Sequence, residues 1–273
     1  MTRWRQAVEL AMTDEEICNL ERLAAGEIDR LAVFMPPGSA KSTYSSILFP
    51  PWFLAQKPMA SVLAASHTTE LAEKWGRRVR NLVTEHGSTL RLDLSSDSQA
   101  AGRWALTSGA EYYAAGVGVG IAGFRADLAV IDDRVRSRED ADSQAIRDRI
   151  WDWYKTDLLT RLRPGGRVVL IQTRWHEDDL AGRILAEAAT SGEQWHVLSL
   201  PAEAEPGDPL DASPAIGSGT TNTVTRAFLP GRRRHSWRGT GARSTSSGLR
   251  QRREVTSRRA GVGITSICPN ARP

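Results

Sequence analysis

What this chain lacks narrows what it can be. No apolar run approaches the roughly 18 residues that a membrane-crossing helix needs, and no secretory signal opens it. Neither a membrane-embedded nor an exported protein is therefore expected. Cysteine is confined to Cys18 and Cys268. Their spacing fits no metal site and suggests no disulfide framework, so a reducing cytoplasm is the natural setting. Lysine is scarce, at 4 against 32 arginines, as a GC-rich gene would give.

The last scarcity is local. Residues 211–273 contain 12 arginines, no lysine and only two acids, Asp211 and Glu254, a balance of +10. Residues 1–210 hold 24 Lys and Arg against 30 Asp and Glu, or −6. The overall +4 therefore averages two unlike pieces, with Pro206-Gly207-Asp208-Pro209 at the break. In the tail, Gly, Ser, Thr, Pro and Arg make up 40 of 63 residues and no useful periodicity remains. Such a composition buries too little apolar surface to offset chain entropy, so a disordered basic tail is expected. It reads as a basic arm that grips phosphates, as a linker, or as out-of-frame translation after a frameshift near residue 210. The abrupt loss of patterning favours the frameshift.

The rest is patterned. A lead over residues 1–30 includes a helix from Asp14 to Ala25, with Thr13 as its cap and Gly26 as its stop. From 31 to 210, strands are predicted near 31–35, 60–65, 127–131, 167–172 and 195–199. Helices are predicted near 42–55, 68–86, 139–162 and 178–189. Pro50-Pro51 should break or kink the first of these. This alternation gives an α/β domain: a mainly parallel sheet with helices on both faces.

The most informative stretch is Leu31 to Thr43. An apolar run enters Met35-Pro36-Pro37-Gly38-Ser39-Ala40 and closes on Lys41-Ser42-Thr43. A strand, a tight turn and a helix start are the parts of a phosphate-binding loop, the P-loop of an NTPase fold. The loop from Pro37 through Thr43 would cradle phosphate oxygens with the N–H groups of Gly38 and the residues after it, and the helix adds its positive end. Lys41 supplies charge for the β- and γ-phosphates, and the Ser42 hydroxyl can ligate Mg²⁺. The usual pattern is G-x-x-x-x-G-K-[ST]; here Met35 and Ala40 replace the two glycines. A plain Pro-Gly turn before an ordinary helix is the alternative.

A second run, Leu128 to Ile131, ends in Asp132-Asp133. Acids at the carboxyl end of a buried parallel strand face the crevice where open α/β sheets bind ligands. Asp132 is assigned to Mg²⁺ and Asp133 to the attacking water; an Asp-Asp turn is the alternative. Arg125, before this strand, is the candidate to stabilise a γ-phosphate, in cis or from a neighbour. A solvated arginine is the alternative. A third run, Arg167 to Ile171, ends in Gln172-Thr173, which can reach a γ-phosphate and relay its loss to the following helix. His176 to Asp179 contains metal-ligand types, but Asp178 or Asp179 reads better as a helix cap. Trp153 or Tyr154 reads as core packing rather than base stacking.

Three segments together resemble the large terminase subunit of tailed bacteriophages: Met35 to Thr43, Val130 to Asp133, and Gln172-Thr173-Arg174-Trp175-His176-Glu177-Asp178-Asp179-Leu180-Ala181-Gly182-Arg183. Gly26-Glu27-Ile28 and Ser66-His67-Thr68 fit the same family, and the likeness covers roughly residues 14–210. It implies an ATPase, using ATP and Mg²⁺, that drives double-stranded DNA into a procapsid in the bacterial host cytoplasm. It also implies a portal protein, a small terminase subunit and a homo-oligomeric ring as partners. In that family an RNase H-like nuclease follows; two acids in the tail cannot build one, so no nuclease activity is expected here. The lead is short for the family, with Gln6 a faint candidate for adenine contact. A helicase-like translocase is the rival enzyme reading, and a decayed prophage product acting as a basic DNA-binding protein is the non-enzyme reading.

Overall fold

In the computed structural model, residues 14–116, 120–133, 135 and 137–200 are described. Thr13, Gln6, residues 117–119 and the tail from 211 onward lie outside them.

The helix α1 spans Asp14–Ala25, as its sequence predicts. Gly26 stops it at φ +84°, a backbone that only glycine adopts without strain. The Gly26 and Glu27 N–H groups fold back on carbonyls of the last turn, with Glu27 donating to Arg22 at 3.0 Å. Strand β1 (Arg30–Phe34) follows. Next come a π-helical segment over Thr43–Leu48 and the helix α2 (Phe49–Gln56). Strand β2 (Ser61–Ser66) leads to α3 (Thr69–Leu90), capped by the Thr68 hydroxyl, which accepts from Leu71 N–H at 3.2 Å. Strands β3 (Leu94–Gln99), β4 (Arg103–Leu106), β5 (Glu111–Gly116) and β6 (Ala126–Asp132) come next. The short helices α4 (Arg138–Asp142) and α5 (Gln144–Asp152) precede a π-helical turn at Trp153–Leu158 and a 3₁₀ turn at Leu159–Arg161. Strand β7 (Leu162–Gln172), helix α6 (Leu180–Ser191) and strand β8 (His196–Ser199) complete the described order.

The eight strands form one sheet in the order β3-β4-β5-β2-β6-β7-β1-β8. From β5 to β8 all neighbours are parallel; β3 and β4 add antiparallel pairs at one edge. Side chains alternate faces along each strand. Leu31, Val33, Val62, Ala64, Leu128, Val130, Val169 and Ile171 join the core under α1, α2 and α3. Ala32, Leu63, Ala65, Ala129, Ile131, Val168 and Leu170 join a second core under α5, its π turn and α6. Trp153 and Tyr154 are buried in that second core, as expected from their helical spacing.

Three features depart from the sequence expectation. Strands β3, β4 and β5 are not among the expected elements. β3 is Leu-Ser-Ser-Asp-Ser-Gln, an edge strand with no buried residue and no apolar alternation to reveal it. The long helix expected over 139–162 is divided, because Ser143 takes an extended conformation between α4 and α5. Pro50 and Pro51 do not break their helix. They fall in the first turn of α2, where missing N–H groups leave no bond unmade. The preceding turn adapts by π bonding, with Phe49 N–H donating to Tyr44 C=O.

Glu16 ties α1 to that π segment. It is 1% exposed and accepts from the Ser45 hydroxyl at 2.9 Å. Burial lifts its pKa from 4.5 to about 7, against the downward pull of Ser45. The native state therefore holds a proton that the unfolded chain releases, and stability should fall as pH rises from about 4.5 through 7. Glu16→Gln should flatten that slope in thermal melts across the same range.

Candidate nucleotide-binding site

Register brings the site together. Phe34 lies beside Gln172, Ile171 beside Asp132, and Ile131 beside Ala65. The carboxyl ends of β1, β2, β6 and β7 therefore finish at one edge, where open parallel sheets receive ligands.

The loop after β1 is shaped by its own sequence. Ser39 N–H donates to Pro36 C=O at 3.4 Å, and Gly38 sits at φ +83°. Pro37 followed by a positive-φ glycine is the chemistry of a type II turn. Ala40 then adopts φ +62°, and its carbonyl accepts from Thr43 and Tyr44 N–H to start the next helical segment. The position where the usual pattern places its second glycine thus keeps a glycine-like backbone although an alanine fills it. Ser39 is 8% exposed, and its Oγ has no hydrogen-bond partner within the described residues. An orphaned hydroxyl in such a loop suits an anionic oxygen as its missing partner.

Beyond the loop, charges converge. Lys41 is buried, and its Nζ lies 2.9 Å from Asp133 Oδ2. The other oxygen of Asp133 accepts from Thr173 N–H at 2.8 Å. Asp133 N–H donates to Ile171 C=O, and its own carbonyl meets His67 Nδ1 at 3.3 Å. This node has φ +30°, an uncommon backbone for aspartate. The Thr173 hydroxyl donates to Met35 C=O at 3.5 Å, which joins β7 to the start of the loop.

Asp132 is 4% exposed. Its Oδ1 accepts from Ser42 Oγ at 2.9 Å and its Oδ2 from Ser46 Oγ at 2.8 Å. Burial raises its pKa from 3.8 to about 6; Asp133 adds to the rise, while Ser46, Ser42 and Lys41 oppose it. Ser42 and Asp132 are hard oxygen donors side by side, a donor set that fits Mg²⁺.

The expected site residues are therefore largely assembled: the loop from Pro37 to Thr43, with Lys41, Ser42, Asp132, Asp133 and Thr173. Arg125 does not join them. It precedes β6 at the opposite end of the strand, roughly 20 Å from Asp132 by strand rise, and donates to Thr160 C=O at 3.0 Å. At that distance its guanidinium does not reach the cluster at Asp132. Gln172 is also displaced. Asp132 pairs with Ile171, so Gln172 takes the opposite face of the sheet, where it is 2% exposed.

Sequence reasoning gives two neighbours no role of their own. Ser46, one turn past Ser42, gives no signal because serine in a helix is unremarkable by itself. Arg174 stands out in the sequence only as part of a motif. Its guanidinium lies 5.2 Å from the Phe34 ring centre, and Nε lies 2.7 Å from Asp179. Asp179 caps α6 by accepting from Gly182 N–H at 2.8 Å, the capping role expected for this acid pair. Asp178 instead meets Arg147 and Arg183, and Arg183 above all holds its carboxyl well below the usual range. Among the described residues, no group of three or more His, Cys, Asp or Glu could hold a metal ion.

Because Ala40 holds a left-handed backbone, Ala40→Gly should raise unfolding stability by about 1 kcal/mol. A denaturant titration of the two proteins reads the difference.

The sequence matches the family described as terminase large subunit, T4likevirus-type, N-terminal, over residues 33–232. The matched span runs past Leu210, where patterning in the sequence ends. No curated protein matches the sequence. Among solved structures, the chain is similar to the large terminase of bacteriophage HK97, at 13% identity and a TM-score of 0.43, over 76% of this chain and 45% of that one. It is similar to the large terminase of a thermophilic bacteriophage at 8% identity and 0.42, over 69% and 44%. It is also similar to the N-terminal domain of the DNA packaging ATPase of bacteriophage phi29, at 13% and 0.38, over 63% and 81%. The chain thus spans less than half the length of the two large terminases. With the family match covering most of its length, this chain belongs to the phage terminase large subunit family, in the N-terminal part of that subunit.

Proposed function

We propose that this domain binds ATP with Mg²⁺ and hydrolyses it, as the motor of a machine that packages double-stranded phage DNA into a procapsid. One observation carries the reading. Lys41, Ser42, Asp132, Asp133 and Thr173 meet at one sheet edge through contacts of 2.8 to 2.9 Å. Belonging to the terminase large subunit family supports the same reading. The portal protein, a small terminase subunit and neighbouring copies in a ring are the partners that this reading brings with it.

The residues divide the work. The loop from Pro37 to Thr43 would hold the phosphates through N–H groups and the orphaned Ser39 hydroxyl. Lys41 would exchange its contact with Asp133 for the β- and γ-phosphate oxygens. That exchange releases Asp133 Oδ2 to orient the attacking water, while Oδ1 stays on Thr173 N–H. Ser42 and Asp132 would hold Mg²⁺, which neutralises charge on the phosphates when bound. Thr173 sits between Asp133 and the loop, so loss of the γ-phosphate would be felt at the start of the segment leading to α6. Arg125, remote from its own site, is proposed to serve the site of a neighbouring subunit.

Lys41→Ala should lower ATP turnover by roughly 100-fold or more, measured as phosphate release. Turnover at the parental rate would overturn the assignment. Arg125→Ala should leave the nucleotide affinity of an isolated subunit unchanged, as read by titration with a fluorescent ADP analogue.

A further inference from the structure

Asp132 is held by two hydroxyls, and only one of them has a role so far. Ser42 and Ser46 stand four residues apart on one side of the segment after the loop. Ser42 Oγ bonds Oδ1 at 2.9 Å and Ser46 Oγ bonds Oδ2 at 2.8 Å. Their surroundings differ. Ser42 is part-exposed, at the mouth of the loop, whereas Ser46 is 1% exposed and lies under the sheet edge. A hydroxyl ligates a cation through a lone pair and keeps its O–H to donate, so Ser42 can serve both the cation and Oδ1. Ser46 bonds the other oxygen from the buried side, and fixes the rotation of the carboxylate whether or not a cation is present.

We infer that Ser46 is a positioning residue: its hydroxyl anchors Oδ2 of Asp132 so that Oδ1 faces the divalent cation beside Ser42. The inference rests on the nucleotide reading above. Partners that orient a metal-ligating carboxylate typically carry 10- to 100-fold of the metal affinity. The local packing suits a fixed anchor. Beside Ser46 and Asp132 lies a small cavity of about 10 Å³, lined by Ala64, Ala65, Ala72, Trp75 and Val130 among others. Besides Ser46 and Asp132, its lining includes Ser66 and is otherwise made of the alanines, Val130 and Trp75.

The test is nucleotide binding to the whole chain by calorimetry, with MgCl₂ and with EDTA, for the parent, Ser46→Ala and Ser46→Thr. The parent should bind ADP more tightly with Mg²⁺. Ser46→Ala should lose about 10-fold or more of that Mg²⁺-dependent gain while keeping its affinity in EDTA. Ser46→Thr, which retains the hydroxyl, should restore the gain. A direct titration with Mn²⁺, followed by electron paramagnetic resonance with ADP present, should show the same order. An unchanged Mg²⁺ gain in Ser46→Ala would overturn the inference. So would equal losses with and without Mg²⁺, or the same loss in Ser46→Thr, because each marks a packing role alone. If the parent binds no nucleotide in either buffer, the nucleotide reading itself fails.

Discussion

Burying the Asp132 carboxylate carries a desolvation cost, and the chain around it is arranged to offset that cost. Two serine hydroxyls bond its two oxygens, and Lys41 adds positive charge from the loop. These compensations come from a different part of the sequence, some 90 residues earlier, and only parallel register between strands brings the two together. The sheet is therefore more than a scaffold for the site. Shifting β1 or β6 by one residue relative to β7 would turn its apolar set to the wrong face and remove the partners of a buried charge.

Asp133 extends the same logic outward. One of its oxygens meets Lys41 and the other meets the backbone of Thr173. Beyond Thr173, Arg174 bridges Phe34 and Asp179, and Asp179 caps α6. Asp178 and Arg183 continue to Arg147 and Asp148 on α5. Polar contacts, joined by the backbone at Thr173-Arg174 and at Asp178-Asp179, thus run from Lys41 to two helices of the second layer. A group that draws Lys41 away from Asp133 changes the first of these contacts. This gives a physical link between events at the loop and the packing of α5 and α6.

Much of this is legible from residue order. Local rules suffice for the turn at Pro37-Gly38, the stop at Gly26, and the caps at Thr68 and Asp179, because each depends on neighbours within a few residues. Buried parallel strands announce themselves as continuous apolar runs, so β1, β2 and β6 can be placed closely, whereas β7 begins at Leu162, before its apolar run and earlier than the expected 167. Edge strands do not. β3 is polar and owes its conformation to pairing with β4, information that no local pattern carries. Interior helix rules predict a break at the prolines 50 and 51, whereas the π segment before them moves the start of α2 to where proline is tolerated.

For the site, the sequence by itself determined the chemical types: a lysine and hydroxyls after a tight turn, an acid pair after an apolar run, a threonine at a third strand end. Those follow from short-range order and side-chain chemistry. Only the tertiary structure decided who meets whom. It set Lys41 on Asp133, placed Ser46 on Asp132, turned Gln172 to the far face and left Arg125 at the opposite end of β6. The reason is geometric. Strand direction and register fix which end and which face a residue occupies, and both arise from pairing between distant segments rather than from any one of them.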